Sequence, residues 1–124
     1  MRVLLSIKPE FVEKIFSGEK LYEYRKAMFK NVNVSSVVIY STMPVGKIVG
    51  EFKFKKIHID SPKVIWNKTK QSSGISEKFF FDYFEGKSEA YAIEIEEVTK
   101  YKVPLDPHAI FPKFTAPQSF CYMK

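Results

Sequence analysis

Short apolar runs separated by turns and amphipathic stretches organise this chain. From Gly50 onward, Phe52 and Phe54 alternate with charged residues, which predicts an antiparallel strand with one solvated face. Gly50 itself permits a bulge or a sharp bend in that strand. The other runs are β-branched or alternate in the same way. Together these patterns predict about six strands, in 2–7, 20–25, 36–41, 47–55, 90–98 and 119–123.

Helical spacing of apolar residues predicts three short helices between these strands. The first begins at Pro9 and ends at Gly18, because proline suits a first helical turn and glycine a left-handed C-terminal position. The second begins at Ser61-Pro62. Ser76 caps the third, whose aromatic stripe predicts core packing. Residues 71–74 predict a flexible linker, and four prolines between 104 and 117 predict an aperiodic surface segment.

Strands and helices do not alternate regularly, so the pattern predicts an α+β barrel. With 124 residues, 45% of them hydrophobic, we expect residues 1–124 to form a single domain with its own core. No apolar run is long enough for a membrane span, and the chain begins directly with a strand-like segment. We therefore expect a cytoplasmic, monomeric protein that does not enter a membrane.

Cysteine and histidine are rare in this chain. Cys121 is the only cysteine, which excludes an internal disulfide, and its apolar neighbours predict a small core residue. His58 and His108 stand far apart, with no further ligand at metal-site spacing. We expect neither a metal nor a cofactor.

The charge is basic: 20 Lys and Arg against 14 Asp and Glu give a net charge of +6. Such a field favours a polyanionic or phosphate-bearing partner. A lysine-rich surface also keeps a protein soluble, so the composition leaves both readings open.

One stretch, from Ser17 to Lys26, combines alternating charge with the pattern of a strand. Glu23 and Arg25 lie two residues apart and share a face of that strand, within reach of a charge-assisted pair. The alternative is a solvated pair, which contributes less than about 1 kcal/mol.

The residues Gly18-x-Lys20-x-x-Glu23-x-Arg25, placed after a first strand and a short helix, resemble the signature of the ASCH domain, a branch of the PUA-like superfamily. The whole chain resembles a small ASCH protein, including the residues 117–120 near its end. The resemblance implies a PUA-like mixed β-barrel of about six strands, with two or three short helices beside a cleft.

The same resemblance implies a function. In ASCH-like proteins this segment lines a cleft for RNA or a nucleotide, which nominates Lys20, Glu23 and Arg25, with Gly18 shaping the turn. Lysine and arginine can hold phosphate, and a carboxylate can accept from a base amino group or orient the arginine. Strand ends and helix starts converge on clefts, and the further candidates from such positions are Lys8, Ser41 and Thr42. Tyr22 and Tyr24 are candidates for base stacking or for the core.

Two other functions stay open. Some relatives are hydrolases, either ribonucleases or amidohydrolases acting on acylated cytidine, which would make Lys20 and Glu23 the reacting groups. The amidohydrolases resemble this motif with a threonine nucleophile where this chain has Glu23, so Ser41 or Thr42 would have to replace it. A protein-interaction module is the third class, and it would present an exposed apolar patch.

Overall fold

The computed structural model describes residues 1–117 and 120–123, and these residues form a six-stranded sheet with four α-helices. The strands are β1 Arg2–Ile7, β2 Tyr22–Arg25, β3 Ser36–Ser41, β4 Lys47–Asp60, β5 Ala90–Leu105 and β6 Phe120–Met123. The helices are α1 Pro9–Ser17, α2 Pro62–Thr69, α3 Glu77–Tyr83 and α4 Pro107–Ile110, with a 3₁₀ turn at Lys70–Ser72.

The sheet is mixed. Its strand order is β2-β5-β4-β3-β1-β6, with β1 parallel to β3 and all other neighbours antiparallel. The predicted α+β class and the six strands are confirmed. Within the described residues β2 and β6 do not pair, so the sheet does not close into the predicted barrel.

Local sequence explains the start and end of α1. Pro9 stands in the first turn, where its missing N–H costs nothing, and Glu10 adds a favourable negative charge there. Gly18 has a φ of 86° and donates its N–H to the carbonyl of Ile15 at 3.2 Å. Val12 and Ile15 face inward, so the helix is held by its apolar side.

The helices pack on the sheet over separate hydrophobic cores. The largest core lies between α1 and the strands β1, β3, β4 and β5, and it includes Val3, Leu5, Ile7, Val12, Ile15, Val37, Ile39, Phe52, Ile93 and Ile95. A second core lies between α2, α3 and the strands β2 and β5: Tyr24, Ile65, Trp66, Phe80, Phe84, Ala90 and Ala92. The gap between α1 and α3 is where the candidate site forms.

Gly50 lies at a point of close approach between β4 and β5. The strand register shifts between Ile48 and Gly50, as the sequence predicted. A Cβ at this position would stand 2.5 Å from the carbonyl oxygen of Thr99. Glycine therefore lets the two backbones approach each other here.

Three expectations are wrong in the C-terminal third. β5 continues through Pro104 to Leu105, and α4 follows where we expected an aperiodic segment. Cys121 is exposed, because β6 is the outer strand and only β1 flanks it. The final strand, β6, lies within the predicted range 119–123. Two residues of the 117–120 motif, Gln118 and Ser119, lie outside the described residues.

The segment 71–74 is not a flexible linker. It continues from the 3₁₀ turn, and Ser73 is buried against the first third of the chain. The sequence pattern missed this because its small polar residues make backbone contacts, which leave no periodicity.

Among the helices of the described residues, none combines the length and apolarity that a membrane crossing requires.

Candidate functional site

A cavity of about 350 Å³ opens between α1, β2 and α3. Charged and hydroxyl groups share its lining with aromatic and aliphatic side chains. The lining residues are Ser6, Ile7, Lys8, Phe11, Lys20, Glu23, Tyr24, Arg25, Thr42, Ile75, Phe79 and Tyr83. The size is within the range of small-molecule sites in proteins.

The edge strand β2 brings an ion pair to this cavity. Arg25 Nη1 donates to Glu23 Oε2 at 3.2 Å and to the carbonyl oxygen of Ser6 at 3.1 Å. Both side chains are buried. The predicted pair is confirmed, and the alternative of a solvated pair is wrong, because α1 and α3 cover this end of the strand.

Lys20 is almost completely buried at the base of the site. Its ammonium group donates to the carbonyl oxygen of Ser73 at 3.0 Å and lies 4.5 Å from the ring centre of Tyr24. Burial lowers the pKa of Lys20 to about 8; the charge of Glu23 opposes this shift and that of Lys14 adds to it. This amine is thus easier to deprotonate than an ordinary lysine.

Aromatic side chains of α3 form the opposite wall. The rings of Phe79 and Tyr83 are nearly parallel, at 10°, with centres 6.3 Å apart. Lys8 lies over the Phe79 ring at 5.5 Å, and Lys26 lies over the Tyr83 ring at 4.5 Å. Burial raises the pKa of Tyr83. A cation therefore lies over each of these two parallel rings.

Five of the seven residues named from the sequence line the cavity: Lys8, Lys20, Glu23, Arg25 and Thr42. The other two do not. Gly18 ends α1 and is exposed, as expected of a residue that shapes the turn. Ser41 is buried within β3, so of the two hydroxyls considered as nucleophiles only Thr42 faces the cavity.

Sequence reasoning missed the hydrophobic part of the lining. The aromatic stripe of α3 was predicted to be core, and the stripe in fact divides. Phe80 and Phe84 lie in the core, whereas Phe79 and Tyr83 line the cavity. The four-residue spacing puts Phe79 and Tyr83 on one helix face, but it pairs Phe80 with Phe84 in the same way, so the spacing did not tell which pair faces the cavity.

Tyr24 belongs both to the second core and to the cavity lining. Its ring lies in the second core and its edge lines the cavity, while its hydroxyl bonds to Thr69 Oγ1 at 2.7 Å. Burial raises the pKa of Tyr24. Tyr22 does not line the cavity and instead contacts His58 at 5.9 Å between ring centres. Of the two tyrosines considered for base stacking, only Tyr24 lines the cavity.

The histidines have other partners. His58 Nε2 lies 2.7 Å from Glu94 Oε1, and this hydrogen bond lowers the pKa of Glu94. His108 lies 3.2 Å from Asp106 at the exposed start of α4. Among the described residues, no group of three or more His, Cys, Asp or Glu side chains converges in the way that a metal site requires.

The ASCH domain family model matches residues 5–104, a span that contains every residue lining the cavity. Over 98% of its length the chain is 28% identical to an ASCH domain-containing ribonuclease of Zymomonas mobilis, and it covers 83% of that protein. It is also 37% identical over 123 residues to a Ureaplasma parvum protein named ATP synthase subunit alpha. The chain spans only 15% of the length of this second relative.

Solved structures show the same fold. The crystal structure of ASCH from Zymomonas mobilis superposes with a TM-score of 0.91 and 26% sequence identity, covering 99% of this chain and 87% of that one. Its arrangement is the α+β fold described above.

Proposed function

Since this chain belongs to the ASCH domain family, we propose that it binds RNA or a nucleotide in the cavity between α1, β2 and α3. The family membership supports the class of ligand. The residues that line the cavity support the mode of binding.

The observation that carries the proposal is a set of three buried charges on one cavity. Lys20, Glu23 and Arg25 have only 2%, 5% and 9% of their surface exposed. Moving charges out of water is costly even when they are paired, and a hydrophobic replacement often gives equal stability. Such groups concentrate in functional sites, where a ligand uses them.

A nucleotide matches the two kinds of lining. The aromatic rings of Phe79 and Tyr83, which line the cavity, can stack on a base. The carboxylate of Glu23 can accept a hydrogen bond from a base amino group, and no other acidic residue lines the cavity among the described residues. Lys8 and Lys26 lie over the aromatic wall, where they can hold the phosphates.

Binding is tested by titrating short RNA oligomers of one base type, and the corresponding mononucleotides, at two salt concentrations. We expect Lys8→Ala to weaken binding and to reduce the slope of log affinity against log salt by about 0.7 to 1, because one phosphate contact is lost. We expect Glu23→Gln to change the order of affinities among the four base types, because the acceptor becomes a mixed donor and acceptor.

Lys102→Ala is the matched control. Lys102 is exposed on β5, eight residues beyond Glu94, the last β5 residue paired with β2, which places it about 27 Å along the strand. This variant should bind as the parent does. Absence of binding to every oligomer and mononucleotide at low salt would contradict the proposal, as would equal losses in Lys8→Ala and Lys102→Ala.

A second candidate function, cleavage of RNA, is favoured by the state of Lys20. Its pKa of about 8 leaves roughly a tenth of the amine neutral at pH 7. A neutral amine can take the proton of a ribose 2′-hydroxyl while that oxygen attacks the adjacent phosphorus. The 5′-oxygen leaves with a proton from solvent, and a 2′,3′-cyclic phosphate remains. The name of the Zymomonas relative supports this class of reaction.

Cleavage is tested with the same oligomers, in a chelator, by looking for the cyclic phosphate product. We expect the rate to rise with pH through about 8, as the amine of Lys20 loses its proton. Lys20→Arg should abolish the product, because a guanidinium does not act as a base, and Lys102→Arg should not affect it. If the parent protein leaves the RNA intact, the cleavage proposal is contradicted. The binding proposal is tested separately, by the titration described above.

A further inference from the structure

Three consecutive carbonyl groups, in residues 72–74, accept hydrogen bonds from the chain that leads into the cavity. The backbone N–H of Leu21 donates to the carbonyl oxygen of Ser72 at 2.9 Å. The ammonium of Lys20 donates to Ser73 at 3.0 Å, and that of Lys14 donates to Gly74 at 2.9 Å. The segment thus fixes both the backbone and the head group around Lys20.

Gly74 also packs directly on the stem of Lys20. Its φ of 70° favours glycine, and a Cβ built there would lie 2.6 Å from Lys20 Cβ and 2.9 Å from Lys20 Cγ. Both contacts are far shorter than van der Waals distance. A side chain at residue 74 therefore forces a shift of Lys20 or of the turn that contacts it.

Ser73 holds the shape of this turn from within. Its side chain is buried, and its hydroxyl donates to the carbonyl oxygen of Ile75 at 3.0 Å. Ile75 in turn lines the cavity. The carbonyl of Ser73 is consequently fixed in direction toward the ammonium of Lys20.

We propose that the turn Ser72–Gly74 is the element that positions Lys20, and that Gly74 is a positioning residue for the ligand site. The part that concerns ligand binding rests on the function proposed above, whereas the placement of Lys20 does not. A buried ammonium has lost most of its contact with water and needs an acceptor inside the protein. The turn supplies that acceptor and prevents the lysine from swinging outward.

The pKa of Lys20 depends on its surroundings, so a measured pKa shows whether Lys20 remains buried. Lys14 and Phe11 face it from α1, Glu23 and Tyr24 face it from β2, and the turn faces it from the third side. Burial is the largest cause of its lowered pKa, and Lys14 adds to it. If Lys20 moves out toward water, its pKa must rise toward 10.5.

The test compares Gly74→Ala with Gly86→Ala. Both glycines have a positive φ, 70° and 78°, but a Cβ on Gly86 would meet nothing within 4 Å. The two variants therefore share the backbone strain, and only one displaces Lys20. Lysine Cε signals are followed by NMR from pH 6 to 11, with Lys20→Arg to assign the signal.

In the parent protein and in Gly86→Ala, we expect Lys20 to titrate near pH 8. In Gly74→Ala we expect its pKa to rise by about one pH unit or more, and the affinity for RNA to fall at least fivefold. An unchanged pKa in folded Gly74→Ala overturns the inference. A raised pKa with unchanged RNA affinity supports the positioning role and contradicts the use of Lys20 in the proposed function.

Should Gly74→Ala fail to fold, Ser73→Ala tests the same inference without a steric clash. It removes the hydroxyl that holds the turn but keeps the carbonyl. Ser72→Ala is its matched control, because the Ser72 side chain makes no hydrogen bond within the described residues. We expect a raised Lys20 pKa in Ser73→Ala and none in Ser72→Ala, and the same pKa in both would overturn the inference.

Discussion

Two ion pairs on the sheet contrast sharply. Glu23 and Arg25 lie 3.2 Å apart at the cavity, with side chains 7% and 11% exposed. Lys53 and Glu97, on paired positions of β4 and β5, lie 3.8 Å apart with both side chains 68% exposed. In the sequence, the residues of both pairs lie in strand segments in which charged and apolar residues alternate. What separates them is whether helices cover the strand at that point.

This difference matters because burial changes the energetics of a charge pair. An exposed pair is screened by water and contributes little. A buried pair costs desolvation, and removing one partner leaves the other charge stranded. Breaking the buried pair is therefore expected to cost much stability, although the intact pair adds little net stability.

The largest predicted effect is the loss of stability when the buried pair is broken. We expect Arg25→Ala to lower the free energy of unfolding by about 3–5 kcal/mol, because the carboxylate of Glu23 stays buried without its partner. Urea denaturation at neutral pH measures the change. The double variant Glu23→Gln with Arg25→Met should recover part of the loss, since no charge is then stranded. A loss in Arg25→Ala below about 1 kcal/mol would contradict the burial of the pair.

The second effect is a dependence of stability on pH that comes from Lys20. Its pKa is about 8 in the folded protein, against 10.5 ordinarily. Between these values the unfolded chain binds more protons, so the contribution of Lys20 to stability rises with pH. From pH 7 to pH 9.5, we expect the parent to gain about 2 kcal/mol relative to Lys20→Met.

The comparison with Lys20→Met removes the contributions of other titrating groups, because both proteins share them. Urea denaturation of both at the two pH values gives the result. Parallel behaviour of the two proteins would show that Lys20 has an ordinary pKa, and it would weaken the cleavage candidate in particular.

The smallest predicted effect concerns the exposed pair, Lys53 and Glu97. We expect Lys53→Ala to change the free energy of unfolding by less than about 0.5 kcal/mol and to leave RNA affinity unaltered, because water screens its pair with Glu97. The same denaturation and titration experiments check it. An effect as large as that of Arg25→Ala would remove the distinction between the two regions.

Much of the secondary structure could be predicted from local pattern. The strand 36–41, the bend at Gly50 and the ends of α1 depend on neighbouring residues, so the sequence carries them directly. β5 was predicted too short and α4 was missed, because prolines were taken to end regular structure. Pro104 instead lies near the end of β5. The pairing of β5 with β4 is irregular there, because the register shifts between Ile48 and Gly50.

The sequence by itself determined the α+β class, the turn after α1, and the spacing that puts Glu23 and Arg25 on one face of a strand. These depend on backbone preference and on the two-residue period of a strand, both of which are local. Tertiary structure alone decided that this pair is buried and that Lys20 reaches the carbonyl of Ser73, 53 residues away. It also turned Phe79 and Tyr83 toward the cavity. Burial and desolvation depend on which distant segments pack over a residue, and no short stretch of sequence records that.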